Sequence, residues 1–232
     1  MCGRYTNTAS AGDVATKLKE ALQVSLETDD GCERFNVSPS QKVLTVVEDK
    51  HGRRAELLRW GLVPSWAKDV KVGFKMINAR AETVGEKPAY RSLVGKSKHR
   101  CLIVADGFYE WMKPEDRKQP RQPMHFSLAG GEPFCFAGLW TRWQDPETEE
   151  WLPSCTILTT EPNELVKPIH NRMPVILVDP GAMEAWLDPE LAPADLKAML
   201  APLDPERMVV RAANPIVNSA KHEGPDCLAP AT

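Results

Sequence analysis

The chain has 232 residues, 42% of them hydrophobic, which is enough to build one globular core without a disulfide or a metal. Its formal net charge of -3 at pH 7 excludes a global positive field, so any polyanion site has to be local. It has no apolar leader and no run long enough to span a bilayer, so no membrane role and a reducing cytoplasmic setting are expected.

The N-terminal segment gives the first element. Val14, Leu18, Ala21 and Leu22 recur at helical spacing and predict an amphipathic helix over 9–26, with Ser10 or Asp13 near its start. Strands follow at 42–48 and 56–63, and a short helix at 88–94. Four further strands are expected at 101–110, 124–128, 134–143 and 151–159, separated by polar, turn-prone loops. The charged, proline-flanked stretch 114–123 reads as an exposed loop. Short helices are expected at 164–168, 181–186 and 194–200, and short strands at 175–178 and 208–211. Twenty prolines favour many short elements over long helices. The middle of the chain lacks the regular strand–helix alternation of parallel crossovers. The expectation is therefore an α+β domain over 1–232, on a mostly antiparallel, strongly curved or barrel-like sheet with short peripheral helices.

The six cysteines (Cys2, Cys32, Cys101, Cys135, Cys155 and Cys227) are scattered. None forms Cys-x-x-Cys, and no histidine lies at zinc-ligand spacing from a cysteine pair, so neither metal nor other cofactor is expected. Cys2 is different in kind. Removal of Met1 leaves a free α-amine and a thiol on one residue. Such an aminothiol condenses with an aldehyde to an imine, which the thiol closes to a thiazolidine.

Polar residues stand where a core does not want them. Glu110, between Tyr109 and Trp111 at a strand end, is a candidate for a desolvated carboxyl with a raised pKa, or an outward-facing carboxylate. His170 lies in a proline-bounded loop and is a candidate proton carrier, or a loop residue bonded to backbone. Asn78 is either a site residue or a cap. Arg4, Arg80 and Arg172 lie within two residues of Cys2, Asn78 and His170. Should those residues converge, three guanidinium groups suited to phosphate arrive with them. Trp60 and Trp66 are candidate platforms for stacked bases, or ordinary packing residues.

Six blocks occur in order: Met1-Cys2-Gly3-Arg4-Tyr5, Phe35-Asn36-Val37-Ser38-Pro39-Ser40, Arg59-Trp60-Gly61-Leu62-Val63-Pro64-Ser65-Trp66, Ile77-Asn78-Ala79-Arg80-Ala81-Glu82-Thr83, Gly107-Phe108-Tyr109-Glu110-Trp111 and Ile169-His170-Asn171-Arg172-Met173-Pro174. Together they resemble the SOS response-associated peptidase (SRAP) family. The likeness runs from Cys2 to Asp226-Cys227, with Phe35 at a position where tyrosine is frequent and a longer charged loop near Asp116. The short stretch after Cys227 fits the bacterial branch. The resemblance implies a sensor of abasic sites in single-stranded DNA; a monomer acting in the cytoplasm at the nucleoid is expected. It implies catalytic roles for Cys2, Asn78, Glu110 and His170, and DNA contacts at Arg4, Arg80, Arg172, Asn36 and Pro39. The aldehyde of an opened abasic sugar is then the electrophile for Cys2, and a thiazolidine crosslink shields the strand from cleavage. Two alternatives stay open: an N-terminal-nucleophile cysteine peptidase, including self-removal of Met1, and a non-catalytic reader of modified bases.

Overall fold

In the computed structural model, residues 2–230 are described apart from Thr28 and Arg117 and the side chains of Pro193 and Ala194. The anticipated removal of Met1 lies outside these residues. The chain opens with β1 (Tyr5–Asn7), buried throughout. Helix α1 (Ala11–Leu22) follows, capped by Ser10, whose Oγ accepts from Asp13 N at 3.1 Å. Its buried face is the expected set Val14, Leu18, Ala21 and Leu22. It stops at Leu22 rather than residue 26, because Gln23 turns to a left-handed φ of 57° and returns its N–H to the carbonyl of Lys19 at 3.1 Å. Next come β2 (Arg34–Val37), the hairpin β3 (Lys42–Asp49) and β4 (Gly52–Trp60), the short β5 (Asn78–Arg80) and the single-turn helix α2 (Arg91–Val94).

The single strand expected over 101–110 is two strands, β6 (Arg100–Ala105) and β7 (Gly107–Met112). The break at Asp106 has a polar cause. Its carboxylate accepts from Thr6 Oγ1 and Thr8 Oγ1, both at 2.6 Å, and from Ala9 N at 2.9 Å, so the chain turns there to pin its own beginning. Gly107 allows the close approach that follows, since a Cβ there would lie 2.2 Å from His125 Nε2 and 2.8 Å from the Phe126 carbonyl oxygen. The chain continues through β8 (Gln122–Leu128), β9 (Phe134–Gln144) and β10 (Trp151–Thr160). The expected helix at 164–168 is a pair of turns instead: Val166 N and Lys167 N both return to Asn163, and Pro168 lacks the N–H to propagate them. The two-residue strands β11 (Met173–Pro174) and β12 (Ile176–Leu177), helices α3 (Pro180–Leu187) and α4 (Pro193–Ala198), and strand β13 (Met208–Ala212) complete the order.

Five strands close on themselves in the sequence β10–β4–β3–β6–β9 and back to β10. Four seams of this barrel are antiparallel; the β10–β4 seam is parallel. The expected barrel-like, mostly antiparallel sheet therefore holds. Among the described residues parallel pairing enters at β10 alone, with β4 and β5 lying end to end along one of its edges. Gly138 sits where β9 is squeezed between β6 and β10: a Cβ would meet Ile103 Cδ1 at 2.7 Å and the Thr156 carbonyl oxygen at 2.9 Å. The second sheet runs β13–β8–β7–β1–β2 and packs on the barrel. Tyr5, Phe108, Phe126, Phe136 and Trp60 belong to the buried cluster that joins the two.

Candidate active site

Two halves of the fold deliver the reactive side chains. In the first, β1 pairs with β7, Tyr5 opposite Phe108, and Tyr109 N donates to the Arg4 carbonyl at 2.9 Å. That register sets Cys2 and Arg4 alongside Glu110. In the second, the last rungs of β10 pair with β5 on one edge, Thr159 opposite Arg80, and with β11 on the other, Thr160 opposite Met173. Asn78 and the loop 170–172 therefore start from neighbouring rungs of one strand. Asn78 Nδ2 joins the halves by donating to the Cys2 carbonyl at 2.7 Å. His170 Nδ1 lies 3.8 Å from Glu110 Oε1. The four residues expected to carry chemistry thus form one cluster.

Burial sets their electrostatics. Glu110 is 3% exposed, and loss of solvation raises its pKa to about 7. Near neutrality this carboxyl both gives and takes a proton. Burial, reinforced by the nearby charge of Glu110, pushes the Cys2 thiol far above its usual range, so the sulfur rests as a thiol. The thiol donates a weak bond to the Arg4 carbonyl at 3.6 Å. Desolvation lowers the pKa of His170, which is neutral at pH 7. His170 Nδ1 lies 3.1 Å from both the backbone N–H and the carbonyl oxygen of Arg172, so the Arg172 backbone fixes the ring whichever nitrogen carries its proton. Asn78 Oδ1 is buried and accepts no hydrogen bond from the described residues, leaving an acceptor for an amine or hydroxyl.

The three arginines have three different settings. Arg80 is exposed at the end of β5. With Trp66, Lys75, Asn78 and Lys87 it lines an open groove of about 490 Å³ that leads to Asn78. Trp66 is 64% exposed there, as a stacking platform requires. Arg4 is half-buried; its Nη1 donates to Asn36 Oδ1 at 2.7 Å and to the Val217 carbonyl at 2.5 Å, and its guanidinium stands 5.9 Å over the Trp111 ring. Arg172 is buried and forked onto Glu82, Nη1 to Oε1 at 2.6 Å and Nη2 to Oε2 at 2.8 Å, with the Thr159 carbonyl as a third acceptor. A phosphate reaches Arg172 only by competing with Glu82.

Two expected DNA contacts are corrected. Trp60 is fully buried: its indole donates to the Ile77 carbonyl at 2.9 Å and packs edge-on against Tyr5 with ring centroids 5.3 Å apart, so no base can stack on it. Asn36 is also fully buried. It accepts from Arg4 and donates to the carbonyls of Ser219 at 3.0 Å and His222 at 2.8 Å, so it clamps Arg4 and the C-terminal segment rather than touching a ligand. Pro39 is half-buried in the turn after β2. Glu82 and Trp111, which the sequence did not single out, hold Arg172 and Arg4 in place. The signal for Glu82 is general: an arginine that is to be buried needs a carboxylate, and Glu82 lies in the same block as Asn78 and Arg80.

The family model described as SOS response associated peptidase (SRAP) matches residues 1–220. The chain is 43% identical over 230 residues to the abasic site processing protein YoqW of Bacillus subtilis, covering 98% of this chain and 99% of that one. It is 30% identical over 221 residues to the abasic site processing protein HMCES of Xenopus tropicalis, covering 84% of this chain and 65% of the relative. Among solved structures, a Bordetella bronchiseptica protein matches with a TM-score of 0.74 and 26% identity over 92% of this chain and all of that one. A Bacteroides thetaiotaomicron protein shares the fold across the full length of both chains, with a TM-score of 0.82 and 24% identity.

Proposed function

Because the chain belongs to the SOS response associated peptidase (SRAP) family, we propose that it processes abasic sites in single-stranded DNA by trapping the sugar aldehyde on Cys2 once Met1 has been removed. Processing of abasic sites follows from the family and its relatives; the crosslink, the roles below and the DNA contacts are our reading. The observation that carries it is the joining of the Cys2 backbone to Asn78, beside a carboxyl whose pKa burial raises to about 7.

The Cys2 α-amine adds to C1′ of the ring-opened sugar. Glu110, as the acid, protonates the carbinolamine hydroxyl, which leaves as water and gives the imine. The Cys2 sulfur then bonds to the same carbon as its proton passes, through the Glu110 carboxylate, to the former imine nitrogen. The net change is amine, thiol and aldehyde to thiazolidine and one water. The product has lost the electron sink that β-elimination of the 3′ phosphate needs. Asn78 orients the amine or the opened sugar, and neutral His170 is a second acid/base group beside sugar or phosphate oxygens. Arg80 and Trp66 line the groove for the flanking strand.

The test is incubation with an abasic single-stranded oligonucleotide followed by denaturing electrophoresis and intact mass. The Met1-processed wild-type chain is expected to give a denaturation-resistant adduct lighter by one water than the sum of its parts. Cys2→Ser, which keeps the amine, should give only a hydrolysable imine or strand cleavage. A stable adduct from Cys2→Ala overturns the reading. Release of peptide without any need for DNA would point instead to the peptidase alternative, and undiminished binding in the absence of Cys2 to a reader.

A further inference from the structure

Apart from the Cys2 cluster, a second set of ligand-type side chains converges among the described residues. The donor atoms of His222, Asp226 and Cys227 lie within 4.8 Å of one another. His222 Nε2 is 2.8 Å from both oxygens of the Asp226 carboxylate. Cys227 is fully buried, whereas the Asp226 side chain is 51% exposed, so the trio runs from interior to solvent.

We propose that these three residues bind a divalent transition metal of the zinc class, with water as the fourth ligand. The donor set is imidazole, carboxylate and thiolate, the mixture that zinc accepts and that magnesium and calcium, which take oxygen ligands, do not. Donors at ~2.0–2.3 Å from a tetrahedral centre lie roughly 3.3–3.7 Å apart, so the His–Asp contact has to open by about half an ångström and a pair at the 4.8 Å limit has to close by about one. A plain ion pair explains His222 and Asp226, and packing against Tyr109, Ala213 and Val217 explains the burial of Cys227; the metal accounts for all three donors converging.

The surroundings give the metal a consequence. Asn36 Nδ2 holds the His222 carbonyl at 2.8 Å, and Asn36 N donates to Glu223 at 3.0 Å. The same Asn36 accepts from Arg4, which also reaches the Val217 carbonyl. A bound ion therefore stiffens the segment that positions Arg4 without touching Cys2. The spacing His-x3-Asp-Cys matches no zinc pattern, which is why the sequence led to an expectation of no metal.

The experiment uses the full chain, treated with EDTA, desalted and titrated with Co²⁺ alone. One equivalent should produce a thiolate-to-cobalt absorption in the near ultraviolet, which Zn²⁺ abolishes, and Zn²⁺ should raise the melting temperature by several degrees. His222→Ala and Asp226→Asn, both at partly exposed positions, should lose stoichiometric binding and the Zn²⁺ shift. Cys227→Ser should lose the absorption. An absent band in the wild type, or a band or shift that persists in His222→Ala, overturns the proposal by removing the site or moving it elsewhere. If Cys227→Ser fails to fold, the two surface variants decide. Crosslinking to abasic DNA is a separate readout and bears on the active-site reading alone.

Discussion

Glu110 shows how a single side chain acquires a function from its position. In the unfolded chain its carboxyl titrates near 4.5; in the fold, burial moves it to about 7. Between those values the folded chain holds a proton that the unfolded chain has released. Its contribution to stability is therefore complete below pH 4.5 and lost as pH rises through about 7. Urea midpoints taken across that interval should fall less steeply in Glu110→Gln than in the wild type. The same variant removes the proton shuttle, so its crosslinking rate at pH 7 should drop by about 10²–10⁴-fold in a quenched time course. A midpoint profile identical to the wild type would mean that this carboxyl titrates as an ordinary one.

Among the elements, β10 does the most to assemble the site. Its final rungs hold β5 on one edge and β11 on the other, and the Glu82–Arg172 fork ties the two flanking loops together. Glu82→Ala leaves a buried guanidinium with one partner fewer. The expected loss is about 1.5–3 kcal/mol in urea unfolding, with the lower end favoured because the Glu82 side chain is 43% exposed. Crosslinking should fall with it, since the Arg172 backbone holds His170 Nδ1. β9 makes a second demand. Gly138→Ala forces a Cβ to within 3 Å of both Ile103 and the Thr156 carbonyl oxygen, and should cost about 1–3 kcal/mol through strain across the barrel.

The whole molecule carries a net charge of -3, so attraction to DNA has to come from a few local cations. Arg80, Lys75 and Lys87 in the groove are the exposed ones. Arg80→Ala should weaken binding to single-stranded DNA at every sequence and reduce the slope of log affinity against log salt by about 1, measured by fluorescence anisotropy. An unchanged slope would remove Arg80 from the phosphate contacts. Arg172, by contrast, should change the slope little, because its charge is already neutralised by Glu82.

What the sequence determined by itself was the reactive inventory and the class of fold. The aminothiol at Cys2 follows from its place in the chain, the core face of α1 from helical spacing, and the barrel-forming strands from apolar runs, because these signals are local. Which of the polar residues meet, and which arginines stay free, depended on strand register. β5 and β11 are too short to leave a period in the sequence, yet their pairing with β10 sets Asn78 beside Cys2 and His170 beside Glu110. Tryptophan and asparagine carry no mark of burial either. Trp60 and Asn36 became interior residues, and Trp66 a surface one, through long-range packing that local composition does not encode.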